Sequence, residues 1–173
     1  MTVYESIETR KSIRDFEKRP VEPEKLQRIL EAGRLAPTAR CSNATRFIVV
    51  DDPDLMKKVQ EACMGQALMG KAPMAVIVCS DSTRVMGCDQ RASTVDCSIA
   101  MSFMMLAATA EGLGTCWIGL LEFLICHEAY RDRFASLIDI PADKKVCGCM
   151  ITGYPAVHFR RLVERAPLQV EWR

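Results

Sequence analysis

Two guanidinium groups and a hydroxyl recur at every second position in Arg10-Lys11-Ser12-Ile13-Arg14-Asp15-Phe16. Successive side chains of an extended stretch point to opposite sides, so Arg10, Ser12 and Arg14 share one side. Donors converging in this way grip a phosphate through charge-assisted hydrogen bonds, or stabilise an anionic ring system. A solvated basic turn is the other reading of the same residues. Cys41, in a polar loop beside Arg40, is the one thiol whose setting allows reactivity; an inert thiol is the other reading of the same residue. His127 and His158 are the only histidines and are not at metal-ligand spacing. No G-x-S-x-G elbow, Walker loop or G-x-G-x-x-G fingerprint occurs. Hydrolytic and zinc chemistry therefore lose their support, and no metal is expected. A catalyst with so few proton-transferring groups borrows a cofactor.

The elements that must position these residues are legible from spacing. A short helix over Val3 to Thr9 precedes the basic stretch, and Pro23 opens a second whose Leu26, Ile29, Leu30, Gly33 and Ala36 keep helical spacing until Pro37. Thr38 to Arg46 is a polar loop, Phe47 to Val50 a strand, and Pro53 restarts a helix through Ala62. The unbroken apolar run Met74 to Cys79 suits a central strand buried on both faces. Val95 to Leu113 is apolar on nearly every side, as expected of a helix enclosed by protein. A short strand over Thr115 to Gly119, a helix over Glu122 to Ile138 and a strand over Val146 to Thr152 follow, before a tail poor in core-forming residues.

With 173 residues, 49% of them hydrophobic and 26% charged, the chain suits one domain, 1–173, with a real core. A net charge of +1 supplies no field for polyanions, so no nucleic-acid partner is expected. Glu111 and the helix-breaking Gly112 and Gly114 interrupt the most apolar stretch, which argues against a membrane partner. Met1 to Arg10 lacks the basic-then-apolar pattern of a leader, so the expected compartment is cytoplasmic. Nine cysteines without a C-x-x-C pair predict mostly buried, reduced thiols, among them Cys79, Cys97, Cys147 and Cys149.

Four segments in order resemble the nitroreductase family. They are Arg10-x-Ser12-Ile13-Arg14-x-Phe16; Ala36-Pro37-Thr38-Ala39 followed by Arg46 to Val50; Gly112-Leu113-Gly114-Thr115-Cys116-Trp117-Ile118-Gly119; and Gly153-Tyr154-Pro155 before a basic tail. The resemblance spans essentially the whole chain. It implies an α+β fold with a central mixed β-sheet flanked by helices, a long buried central helix and an extended C-terminal tail. It also implies FMN held in clefts between the subunits of a homodimer.

By the same resemblance, Arg10, Lys11 and Ser12 hold the phosphate and ribityl end, and Arg14 approaches the pyrimidine edge as an electrostatic stabiliser of reduced flavin. The backbone near Gly119 and Leu120 faces flavin N5. Arg165, with Arg161 upstream, completes the phosphate clamp, Pro37, Thr38 and Ala39 reach the flavin from the opposite subunit, and Cys41 is a further cofactor-binding residue. The chemistry implied is hydride transfer from NAD(P)H through N5 to a small acceptor such as a nitroaromatic or quinone, in ping-pong order, with no certain catalytic side chain. The chain departs from the family at Cys41-Ser42-Asn43-Ala44-Thr45, where Asn-x-Gln-Pro-Trp is common, and its Ser80 to Arg91 connector is brief. The alternative reading is a noncatalytic flavin-binding or redox-sensing protein with an altered substrate loop.

Overall fold

The computed structural model describes residues 1–63, 71–85, 90–118, 128–156 and 166–173. Helix α1 (Val3–Thr9) starts at a reciprocal cap: the Glu5 amide donates to Thr2 Oγ1 (3.2 Å) and the Thr2 amide to Glu5 Oε2 (2.6 Å). Helix α2 (Pro23–Arg34) has proline in its first turn, where the missing amide costs nothing. It ends before Pro37, since the residue preceding a proline avoids helical backbone. A 3-10 turn (Ala39–Cys41) leads into β1 (Thr45–Val50), two residues longer than the apolar run Phe47–Val50 suggests. Asp52 caps α3 (Pro53–Ala62), accepting from the amides of Asp54 and Leu55 at 3.0 and 2.9 Å. Then come β2 (Met74–Asp81), α4 (Gln90–Ala110), β3 (Gly114–Ile118), α5 (Glu128–Leu137) and β4 (Lys144–Gly153). The expected helix from Glu122 and the Gly119 end of the strand begin or finish outside the described residues.

The strands form one sheet in the order β1-β2-β4-β3, and all eight β2 positions are buried, as its unbroken apolar run requires. A mixed sheet was expected. The pairs β1–β2, β2–β4 and β3–β4 are instead all antiparallel, and the parallel contact among the described residues is the single bridge Ser12–Thr115. Four residues on, Phe16 makes a second isolated bridge, to Pro155, in the antiparallel sense.

Side-chain alternation divides the core between the two faces. Val76, Val78 and Met150 pack with Ile29 of α2 and Met101 and Met104 of α4, whereas Ile77, Cys79, Cys149 and Ile151 pack with Val59 of α3 and Phe134 of α5. The described cysteines are free thiols, all buried but Cys41. Burial pushes Cys79 up to about 12, so it remains a neutral thiol.

Helix α4 is the long core helix that the sequence predicts. It starts at Gln90 and ends at Ala110, because Gly112 turns the chain with φ at 77°. Its length and hydropathy over Ala92–Ala110 would suffice to cross a bilayer. Cys97, Ala100, Met101, Met104 and Ala108 are almost fully buried against the sheet and α2. The opposite face is exposed: Val95 is 57% and Phe103 42% exposed, and Val3, Tyr4 and Ile7 of the neighbouring α1 are exposed too.

Candidate functional site

The cradle is built on the β3 edge. Arg10, the C-cap of α1, turns from helical to extended backbone (φ −55°, ψ 128°), which releases residues 11–16 to run beside the sheet. The Ile13 amide donates to the Thr115 carbonyl at 2.8 Å. Ile13 is buried while Ser12 and Arg14 are exposed, the alternation that the spacing predicts. Gly114 makes this docking possible, because a Cβ there would stand 2.7 Å from Ile13 Cβ. Gly114→Ala is therefore expected to push residues 12–14 off β3. Protein stability should fall by about 1–3 kcal/mol in denaturant unfolding, the usual cost of overpacking; an unchanged midpoint would show that the edge yields freely.

Arg10, Ser12 and Arg14 lie on the segment that docks at Thr115, with Cys116 the next residue along β3. Burial raises the Cys116 thiol pKa, opposed by the charges of Arg14 and Arg10 and by hydrogen bonds from Ser12 and Arg14. Among the described residues, neither Arg10 nor Arg14 is paired with a carboxylate; Arg14 donates to the Ser12 carbonyl, at 3.4 Å. Thr115 Oγ1 is buried and has no hydrogen-bond partner among the described residues. Lys11 lines a groove of about 280 Å³ with Arg10, Thr9, Leu113 and Gly114. The free end of the basic segment is tied down farther along, where the Glu17 amide donates to the Tyr154 carbonyl at 2.8 Å and the Tyr154 hydroxyl to Glu22 Oε2 at 2.5 Å. That hydroxyl bond holds the Glu22 carboxyl at about 2.

Pro37, Thr38, Ala39 and Cys41 are elsewhere. Their loop feeds β1, the opposite edge of the sheet, three strand spacings or about 14 Å from β3. Within one chain the loop and the cradle are not brought together. Arg40, Cys41 and Asn43 all have left-handed backbone, with φ of 52°, 53° and 49°. Gly119, Leu120, Arg161 and Arg165 lie outside the described residues. Spacing arguments missed three residues: Thr115, Cys116 and Asp96, whose carboxylate on α4 receives the Ala39 amide. Strand register alone pairs Ser12 with Thr115, and no local pattern announces that pairing.

The profile of the nitroreductase family matches residues 7–83 and 64–154. The chain belongs to the nitroreductase family. A relative from Methanothermobacter thermautotrophicus, provisionally named NADH dehydrogenase/NAD(P)H nitroreductase, is 35% identical over 158 residues, covering 90% of this chain and 78% of that protein. Among solved nitroreductase-like structures, a provisionally named NADH dehydrogenase/NAD(P)H nitroreductase from Bacteroides thetaiotaomicron superposes with a TM-score of 0.85 at 26% identity, over 98% of this chain and 96% of that one. A nitroreductase with bound FMN from Bacteroides fragilis gives 0.77 at 26% identity, over 98% of each chain. The nitroreductase fold thus extends over essentially the whole chain, including the β3 edge that carries the cradle.

Proposed function

We propose that residues 1–173 form a single FMN-binding domain that works as a cytoplasmic, homodimeric NAD(P)H-dependent oxidoreductase on small oxidised acceptors. The observation that carries this reading is the basic segment docked on β3: the Ile13 amide bonds to the Thr115 carbonyl, Ser12 and Arg14 stand exposed on either side of buried Ile13, and neither Arg10 nor Arg14 is paired with a described carboxylate. Such a group suits phosphate oxygens and the anionic edge of a reduced ring, so the residues present fit FMN. The FMN-bound neighbour and the NAD(P)H named in the archaeal relative's description support the same cofactors. FMN, when bound, would supply the two-electron chemistry by which NAD(P)H reduces a small acceptor such as a nitroaromatic or quinone in ping-pong order.

The chain's own part is binding, orientation and charge. Arg10, Lys11 and Ser12 hold the phosphate and ribityl end, with Arg161 and Arg165 as further phosphate ligands. Gly119 and Leu120, outside the described residues, are the positions that by family resemblance would face the reactive edge. Arg14 lies along the pyrimidine edge, where its cation favours the reduced, negatively charged ring. Pro37, Thr38, Ala39 and Cys41 reach the cofactor of the partner subunit, which accounts for their distance from the cradle of their own chain. The exposed apolar face of α1 and α4 supports the homodimer, because a small domain rarely leaves so continuous an apolar surface in water.

Reconstitution with FMN, followed by steady-state NAD(P)H oxidation with quinone and nitro acceptors, tests the reading. Protein-bound flavin absorbance and parallel double-reciprocal lines are expected. No bound flavin after reconstitution would sink the proposal. Bound flavin without turnover would favour the noncatalytic alternative. A finer test isolates Arg14. Arg14→Ala should lower the two-electron potential of the bound flavin by roughly 20 mV, the equivalent of about 1 kcal/mol of lost charge stabilisation. Equal potentials in variant and parent, measured by dye equilibration, would remove Arg14 from this role.

A further inference from the structure

We propose that Asp96 is a positioning residue: from the core helix α4 it clamps the strained loop 38–43 in the form that reaches the flavin. The Ala39 amide donates to both carboxylate oxygens of Asp96, each at 3.0 Å. Asp96 is 5% exposed and sits one position before Cys97, which is buried in the α4 face of the core. The carboxylate is thus carried by a rigid element, and the group it holds belongs to the loop.

The loop has reason to need a clamp. Arg40 and Cys41 are held in left-handed backbone, which costs L-residues other than asparagine and aspartate most. Such backbone persists only where its surroundings over-determine it. The far end is fixed independently: Arg46 donates from Nη1 to the Asn43 carbonyl at 2.8 Å and pairs through Nη2 with buried Asp81 at 3.1 Å. Inside the loop, the Asn43 amide donates to Thr38 Oγ1 at 3.1 Å. Asp96 is the anchor at the near end, and a charged acceptor makes a stronger bond to an amide than a neutral one does.

The link to flavin rests on the proposed function, since it requires that Pro37, Thr38 and Ala39 touch the cofactor. Two measurements on the full-length chain keep the claims apart. Amide hydrogen exchange reads the clamp without flavin: in Asp96→Ala, residues 39–43 should exchange at least tenfold faster, with β2 and β4 unchanged. Asp96→Asn, which retains one acceptor oxygen, should be intermediate. Unchanged exchange in the loop, or an equal rise throughout the sheet, would overturn the inference whether or not the parent binds FMN.

Flavin titration then reads the consequence. Asp96→Ala should raise the FMN dissociation constant at least fivefold. Arg40→Gly added to it should recover most of that loss, because glycine adopts the left-handed conformation at no steric cost. A double variant that is simply additive, or an unchanged dissociation constant in Asp96→Ala, would refute the positioning role at the flavin.

Discussion

Arg10→Ala is expected to weaken FMN binding by roughly ten- to a hundredfold, which corresponds to the loss of about 1.5–3 kcal/mol from one charge-assisted hydrogen bond. Arg10 is half-buried at the end of α1, and the turn there is fixed by the bond from the Arg10 amide to the Ser6 carbonyl at 3.0 Å. Its guanidinium is therefore delivered by backbone that the substitution leaves in place. Arg10 also carries no ion pair among the described residues, so the fold loses little when it is truncated. The variant should thus unfold at nearly the parental denaturant midpoint while losing flavin on dilution. Fluorescence quenching of titrated FMN measures the effect. Parental affinity in Arg10→Ala would move the phosphate away from the cradle.

The second large effect is expected from Phe103→Glu. Phe103 and Val95 lie on the α4 face turned away from the core, and α1 extends that surface through Val3, Tyr4 and Ile7. If a second copy covers this face, the substitution buries an unpaired carboxylate at the centre of the interface. Aromatic anchors of interfaces are worth about 2 kcal/mol or more, and a buried unpaired charge adds to the loss. The dimer dissociation constant should rise at least a hundredfold. Flavin affinity should fall with it, since residues 37–41 would no longer reach the partner's cradle.

The same linkage predicts the converse in the parent. FMN at a hundred times its dissociation constant should stabilise the assembled protein by about 2.7 kcal/mol and oppose dissociation on dilution. Sedimentation of apo and FMN-bound protein over a dilution series checks both statements. A Phe103→Glu monomer that binds FMN as tightly as the parent would refute the shared pocket.

The basic cluster and the central strand were readable from residue order alone because each depends on local rules. Alternation puts Ser12 and Arg14 on one side, and an unbroken apolar run puts β2 in the middle. Cys116 and Asp96 were not readable. Each acquires its place through a partner distant in the chain, Ser12 for the one and Ala39 for the other, and no periodic pattern encodes such pairings. The antiparallel sheet was missed for a related reason: short strands fix which face is buried but leave direction to the connections. Helix α4 was legible as a core element, yet its even hydrophobicity concealed two different surfaces, one packed against the sheet and one open.

The edge pairing of the basic segment has a consequence for biosynthesis. Ser12 meets Thr115, and Phe16 meets Pro155, so the first part of the cradle to be translated is among the last to find its place. At roughly 5–20 residues per second, residues 10–14 leave the ribosome many seconds before the strand they dock against. In that interval two exposed arginines and Ile13 wait on a nascent chain with no edge to receive them. On the proposed function, flavin capture would belong to the end of synthesis, since a stalled chain lacking β3 has no edge on which residues 10–14 can dock.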